Sequence, residues 1–136
     1  MIYAVIDTNV IVASFLTKHS DSATAKVMYA MGIGLITPLY NNEILDEYRE
    51  VLSRKKFHFP ITYIENVIEY TITHGIAMER LHYEGSLPDE SDRVFYEVSL
   101  SKEDSFLVTG NLKHYPISPK VVTPRDFLET CLSNQL

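Results

Sequence analysis

Five acidic residues stand where a converging site would need them: Asp7, Glu43, Glu47, Asp89 and Asp92, followed later in the chain by Asn111, Lys113 and His114. Carboxylates brought within a few ångström of one another repel and raise their own pKa values unless a divalent cation neutralises them. Hard oxygen ligands of this kind suit Mg²⁺ or Mn²⁺. Such an ion lowers the pKa of a bound water and stabilises the pentacovalent phosphorus of phosphodiester hydrolysis. Whether these acids meet depends on the elements that carry them.

The first element is the stretch MIYAVIDTNVIVASFL. Ile2, Tyr3, Ala4, Val5 and Ile6 form a near-continuous apolar run, which reads as a strand buried on both faces. It ends abruptly in Asp7-Thr8-Asn9. In open α/β sheets ligands collect beyond the carboxyl ends of the strands, and Asp7 would sit at that edge. The bland alternative is that Asp7 only caps the helix that follows.

Strand and helix then alternate. Residues 20–33 read as a helix stopped by Gly32 and Gly34, and Leu35-Ile36-Thr37 before Pro38 as a second strand. Asn41 or Asn42 can cap the helix NNEILDEYREVLSRKKF, whose apolar face is Ile44, Leu45, Tyr48, Val51 and Leu52. Pro60 opens a helix ended by Gly75, with Ile61, Ile64, Val67, Ile68 and Ile72 at helical period. Ile76 to Leu81 reads as a third strand, followed by a polar loop and a helix from about Asp89 to Ser101. Ser105–Thr109 and Lys120–Val122 are the fourth and fifth strands, and Thr123-Pro124 begins the last helix as N-cap and N1. Such alternation implies βαβ crossovers and a parallel sheet covered on both faces, in one α/β domain over residues 1–136.

This layout gives the acids a common edge. Asp7 follows the first strand, Glu43 and Glu47 lie one turn apart on the helix after the second, and Asp89 and Asp92 open the helix after the third. Each has an ordinary reading: a solvated helical Glu, or an Asp favoured by the macrodipole at a helix start. Their delivery from three separate elements to one edge is what favours a site.

Composition narrows the function classes. Hydrophobic content of 46% and a formal charge of −6 describe a soluble globular protein that does not coat nucleic acid electrostatically. They leave room for one that holds nucleic acid through metal ions. No apolar run approaches the ~20 residues needed to span a membrane. The N-terminal stretch shows no basic leader, which points away from a signal peptide. The single cysteine, Cys131, reads as a packing residue and fits a reducing cytoplasm. The five histidines show no paired H-x₃-H spacing, so zinc is not expected. Arg49, Arg54, Lys55, Lys56 and His58 form a basic run that reads as a solvated helix end rather than a contact for RNA backbone.

The order of segments carries a resemblance. IDTNV, EILDEYREVLSR, PDESDRVFYEVSL, FLVTGNLKHYP and VVTPRDFL, in that order along nearly the whole chain, are similar to PIN-domain proteins. The branch they resemble is that of VapC-like toxin components of toxin–antitoxin pairs. The resemblance implies a three-layer α/β/α fold with a parallel sheet in the order 3-2-1-4-5. It also implies a Mg²⁺- or Mn²⁺-dependent ribonuclease site in a cytoplasmic homodimer, with an antitoxin protein as partner. Carried over by position, the acids are Asp7, Glu47 (before the aromatic Tyr48, with Glu43 as the fallback) and Asp92, preceded by Asp89. Many relatives carry a fourth acid after strand four. Here TGNLKH offers Asn111 instead, and His114 stands where one variant has the acid. Asn111 would complete the pocket, as acceptor for a water or as a carbonyl ligand. Thr8 and Thr109 are candidates for supporting the carboxylates.

Two other enzyme classes fit less well. A haloacid-dehalogenase-like phosphatase also keeps an Asp after its first strand but needs a second two positions on, where this chain has Asn9. A dinucleotide-binding site would need a glycine-rich turn there, and the first glycine is Gly32. The remaining alternative is a PIN-like domain without catalysis that serves as a binding or assembly module.

Overall fold

A computed structural model describes residues 1–132; residues 133–136, part of the expected domain, lie outside the described residues. The strands are β1 (Ile2–Ile6), β2 (Ile36–Tyr40), β3 (Ile76–Ala77), β4 (Ser105–Val108) and β5 (Val121–Val122). All pair in parallel, in the order β3-β2-β1-β4-β5. The helices are α1 (Thr8–Leu16), α2 (Ala23–Gly32), α3 (Asn42–Leu52), α4 (Ile61–His74), α5 (Arg93–Leu100) and α6 (Pro124–Phe127). The last runs on into a wider π-type turn, Leu128–Leu132.

The hydrophobic run of β1 makes it the central strand. Ala4, Val5 and Ile6 are fully enclosed, with Ile2 in register with Ile36 on one side and Tyr3 with Ser105 on the other. The chain leaves β1 toward β2 and later returns to β1's other side as β4. The strand order therefore reverses between β1 and β4, and the crevice beyond their carboxyl ends is where such folds bind ligands. The Asp7 N–H donates to Val108 O at 2.9 Å, which extends this pairing by one bond and anchors Asp7 in the crevice.

Helices flank the sheet in two groups. α5 lies over β1, β2 and β4, and α3 packs on α5 and α4; α2 lies over β2 and packs on α1 and α6. Local chemistry starts several of them where the sequence predicts. Asn41 Oδ1 accepts from Ile44 N at 2.9 Å, Ser22 Oγ from Ala25 N, and Thr123 Oγ1 from Asp126 N ahead of Pro124 at N1.

Several boundaries differ from expectation. β2 continues through Pro38 to Tyr40; its pairing with β3 starts only at Leu39, so the proline precedes that ladder. β3 stops at Ala77 because the chain then turns toward α5, where the Leu81 N–H donates to Glu97 O at 3.0 Å. α3 ends at Leu52, and Lys55–Phe57 form a separate 3₁₀ turn. A 3₁₀ turn, Glu90–Asp92, precedes α5, which begins at Arg93. On α4, which packs on β2 and α3, Ile64 and Ile68 are buried but Ile61 and Ile72 face outward.

Candidate functional site

A hollow of about 380 Å³ opens at the edge where β1 and β4 end, and Asp7, Glu47, Asp92 and Asn111 all line it. Three elements deliver the acids: the β1–α1 junction, α3, and the turn that leads into α5. Among the described residues, no three Asp, Glu, His or Cys side chains are gathered tightly enough to enclose a metal ion by themselves.

Asp7 occupies the N-cap position of α1 with extended backbone, yet its side chain makes no capping bond. Its Oδ2 instead accepts from Thr109 Oγ1 at 2.8 Å, Tyr115 Oη at 2.8 Å and Asn9 Nδ2 at 3.3 Å. The carboxylate is thus committed chiefly to side chains across the strand ends rather than to capping α1. Burial pushes the Asp7 carboxyl above the usual carboxylate range; the Thr109 and Tyr115 hydroxyls and the Thr8 and Asn9 N–H groups offset only part of that. Asn9 ties the two strand ends together, its Oδ1 accepting from Gly110 N at 2.9 Å.

Glu47 projects from α3 into the hollow. The next residue, Tyr48, is buried and donates its hydroxyl to Ile6 O at 2.5 Å, which locks α3 against the end of β1 and fixes the turn that carries Glu47. Burial raises the Glu47 carboxyl first, and the charges of Glu50, Asp92 and Asp7 raise it further against the pull of Arg54. Glu43, one turn earlier, is outside the lining and pairs with Arg80 at 2.8 Å.

Asp92 is also raised, by burial first and then by the negative charge of Asp7, with the His114 hydrogen bond pulling the other way. His114 Nδ1 lies 2.8 Å from Asp92 Oδ2, and Asn111 Nδ2 lies 2.9 Å from His114 Nε2. Asp89 lines the rim but is committed to its own turn, with Oδ1 accepting from Ser91 N and Oγ; those bonds hold its carboxyl below the ordinary value. Lys113 is exposed and outside the lining.

The fit of a divalent cation is testable on one atom. Thr8 Oγ1 is buried, borders the hollow and has no hydrogen-bond partner among the described residues. An orphaned hydroxyl beside three carboxylates is an all-oxygen donor set, the chemistry that suits a hard divalent ion. Mg²⁺ keeps several of its waters when bound, so carboxylates spaced too widely for direct ligation still suit it.

The basic run is not a uniform solvated face. Arg49 pairs with Asp46 and Arg54 with Glu50 on the surface, but Arg54 and Phe57 also form one wall of the hollow. Sequence reasoning missed Tyr115, which nothing in KHYP distinguishes from a packing aromatic. It also missed Glu97, a buried carboxylate on α5 that accepts from Arg80 Nε at 2.8 Å, Tyr83 N at 3.0 Å and Arg93 Nη1 at 3.4 Å. The only available signal was an acid among the apolar residues of VFYEV, one turn after Arg93.

A sheet in this order, with acids at the β1/β4 crevice, is the framework of a nuclease-type α/β domain. The PIN-domain family model matches residues 3–113, and the chain belongs to that family. PIN domains are generally nucleases, act on nucleic acid and typically use divalent metals. No curated protein and no solved structure matches the chain. Among the described residues, no helix is long and apolar enough to cross a membrane.

Proposed function

We propose that the protein is a Mg²⁺- or Mn²⁺-dependent endoribonuclease in which residues 1–136 act as one domain, Asp7, Glu47 and Asp92 hold the metal, and Asn111 completes the pocket. The observation that carries this reading is the shared hollow: acids from three elements line it, burial raises all three carboxyls, and neighbouring carboxylate charge raises Glu47 and Asp92 further. Groups that resist ionisation together in the free protein are groups that a cation stabilises.

A divalent ion bound there supplies charge neutralisation and an acidified water for in-line attack at phosphorus. The chain's own residues do the positioning. Tyr115, Thr109 and Asn9 commit Asp7 Oδ2, which leaves Oδ1 as the oxygen without a side-chain donor. Tyr48 anchors the helix that presents Glu47. Arg54, which borders the hollow, is a cation available to a strand's phosphates. Cleavage at the leaving 3′-oxygen yields a 5′-phosphate.

The resemblance of the five sequence blocks extends the proposal to a toxin component, cytoplasmic and homodimeric, with a small antitoxin that covers the hollow. Incubating the purified protein with structured RNA and Mn²⁺, then identifying product ends, tests the activity. New 5′-phosphate ends that disappear with Asp92→Asn support it, and cyclic phosphate ends contradict the hydrolytic route.

The second reading, a binding or assembly module without catalysis, has one observation in its favour: Asn111 stands after β4 where many relatives have an acid, and the acids are not tightly clustered. A folded protein that neither binds Mn²⁺ nor cuts RNA supports that module instead.

A further inference from the structure

The turn after β4 has no carboxylate, yet its side chains are not idle. The Asn111 backbone N–H donates to Thr109 Oγ1 at 3.0 Å, and that hydroxyl donates to Asp7 Oδ2 at 2.8 Å. From the Asn111 side chain the path continues through His114 Nε2 at 2.9 Å and from His114 Nδ1 to Asp92 Oδ2 at 2.8 Å. A connected series of hydrogen bonds thus runs from one proposed metal-holding acid to another around the edge of the hollow. The middle of this path fixes the protons. An ionised carboxylate only accepts and an amide NH₂ only donates, so the imidazole must carry its proton on Nδ1 and present a bare Nε2 to Asn111. Both ring nitrogens are then used, and the ring has one orientation that serves both partners. Among the described residues no hydrogen bond engages Asp92 Oδ1, the carboxylate's other oxygen.

We infer that His114 is a positioning residue that holds Asp92 by Oδ2 so that Oδ1 serves the hollow, and that Asn111 acts by holding the His114 ring at its Nε2 edge. This rests on the reading of Asp92 as a metal-holding acid. It assigns the Asn-x-x-His pair a role different from that of a substitute ligand: the acid missing after β4 is replaced by a device that orients an acid already present. Metal-holding groups depend on such partners, whose loss costs about 10- to 100-fold in metal affinity.

The test exploits which ring nitrogen makes the contact. In His114→Asn the side-chain amide nitrogen falls near the place of Nδ1, whereas in His114→Gln it falls near that of Nε2. Titration of Mn²⁺ by calorimetry is expected to show His114→Gln weakened by about 10- to 100-fold, with His114→Asn much closer to the parent protein. On RNA, His114→Gln should lower kcat and leave KM unchanged. Melting curves identify any variant that fails to fold. Independently of any variant's folding, a long-range ¹H–¹⁵N spectrum of the metal-free parent protein should show His114 protonated on Nδ1 and bare on Nε2. Equal losses for the Asn and Gln variants, or a ring protonated on Nε2 with Nδ1 bare in the parent protein, would overturn the inference. If the parent protein neither binds Mn²⁺ nor cuts RNA, the nuclease reading fails, and the tautomer experiment still decides whether the pair is built as described.

Discussion

Tyr115 Oη donates to Asp7 Oδ2 at 2.8 Å, joining the end of the central strand to a tyrosine from the loop beyond β4. Both side chains are buried. Burial and the charge of Asp7 push the phenol's pKa upward, so it stays a donor at every working pH. The bond commits one Asp7 oxygen to the protein. Tyr115→Phe removes a buried bond to a charged group, an expected cost of about 1.5–3 kcal/mol in urea unfolding. It also raises the Asp7 carboxyl further, so Mn²⁺ binding by the variant should weaken more at the lower of two pH values than at the higher. Equal losses at the two pH values would mean that Tyr115 does not tune Asp7.

The three acids should make the metal-free protein least stable where they must ionise. Their folded-state pKa values lie above 3.8 for Asp7 and Asp92 and above 4.5 for Glu47. A carboxyl raised on folding contributes stability below its unfolded pKa and loses it as pH rises through the folded value. Asp92→Asn is therefore expected to melt at a higher temperature than the parent protein in EDTA near neutral pH. Mn²⁺ at a hundred times its Kd should restore about 2.7 kcal/mol to the parent protein and little to the variant. A lower melting temperature for the variant in EDTA would show that Asp92 is held by the fold rather than strained in it.

Glu97 should behave in the opposite sense. Burial alone would raise its carboxyl, but the Tyr83 N–H and the Arg80 and Arg93 guanidinium groups together hold it below 4.5. Its contribution is thus complete above that value and lost as pH falls through the folded pKa. Glu97→Gln leaves Arg80 and Arg93 facing a neutral amide. The expected cost is about 2 kcal/mol at pH 7, less than for a fully enclosed pair because Arg80 is 30% exposed. The cost should shrink toward pH 4. Arg93 also donates to Tyr83 O and Gly85 O, so limited proteolysis near Gly85 should accelerate in the variant.

Thr8→Val separates a structural from a functional hydroxyl. Oγ1 has no partner among the described residues, so replacing it by a methyl of the same shape should leave metal-free stability unchanged or raise it by about 1 kcal/mol. Weaker Mn²⁺ binding in that variant would place the hydroxyl in the hydration shell of the ion, and unchanged binding would mark it as packing alone.

What could be read in advance follows from where the physics is local. A strand enclosed on both faces demands an almost unbroken apolar run, so β1 and the acid that ends it are visible in IYAVID. Caps such as Asn41 and Thr123 announce their helices by side-chain chemistry a few residues long. The same locality placed Glu47 beside Tyr48, whose bond to Ile6 O sets the helix against the strand. Pro38 misled because its cost depends on how far the neighbouring strand extends, which is a property of β3 and not of β2. Arg54 looked like part of a solvated helix end because nothing in the sequence shows that α3 stops at Leu52 and the chain turns back to the hollow. Tyr115 and Glu97 find their partners in irregular loops, where no period links donor to acceptor.

The central claim is that Asp7 belongs to a metal-dependent site for cutting RNA. The most direct measurement is cleavage of a structured RNA pool by the purified protein with Mn²⁺, with EDTA, and with Asp7→Asn in parallel, each protein checked for folding by its melting curve. The account predicts cutting with Mn²⁺ that EDTA abolishes and that the folded Asp7→Asn variant lacks. Cutting that survives in Asp7→Asn, or a well-folded parent protein that cuts under no divalent metal, would contradict it.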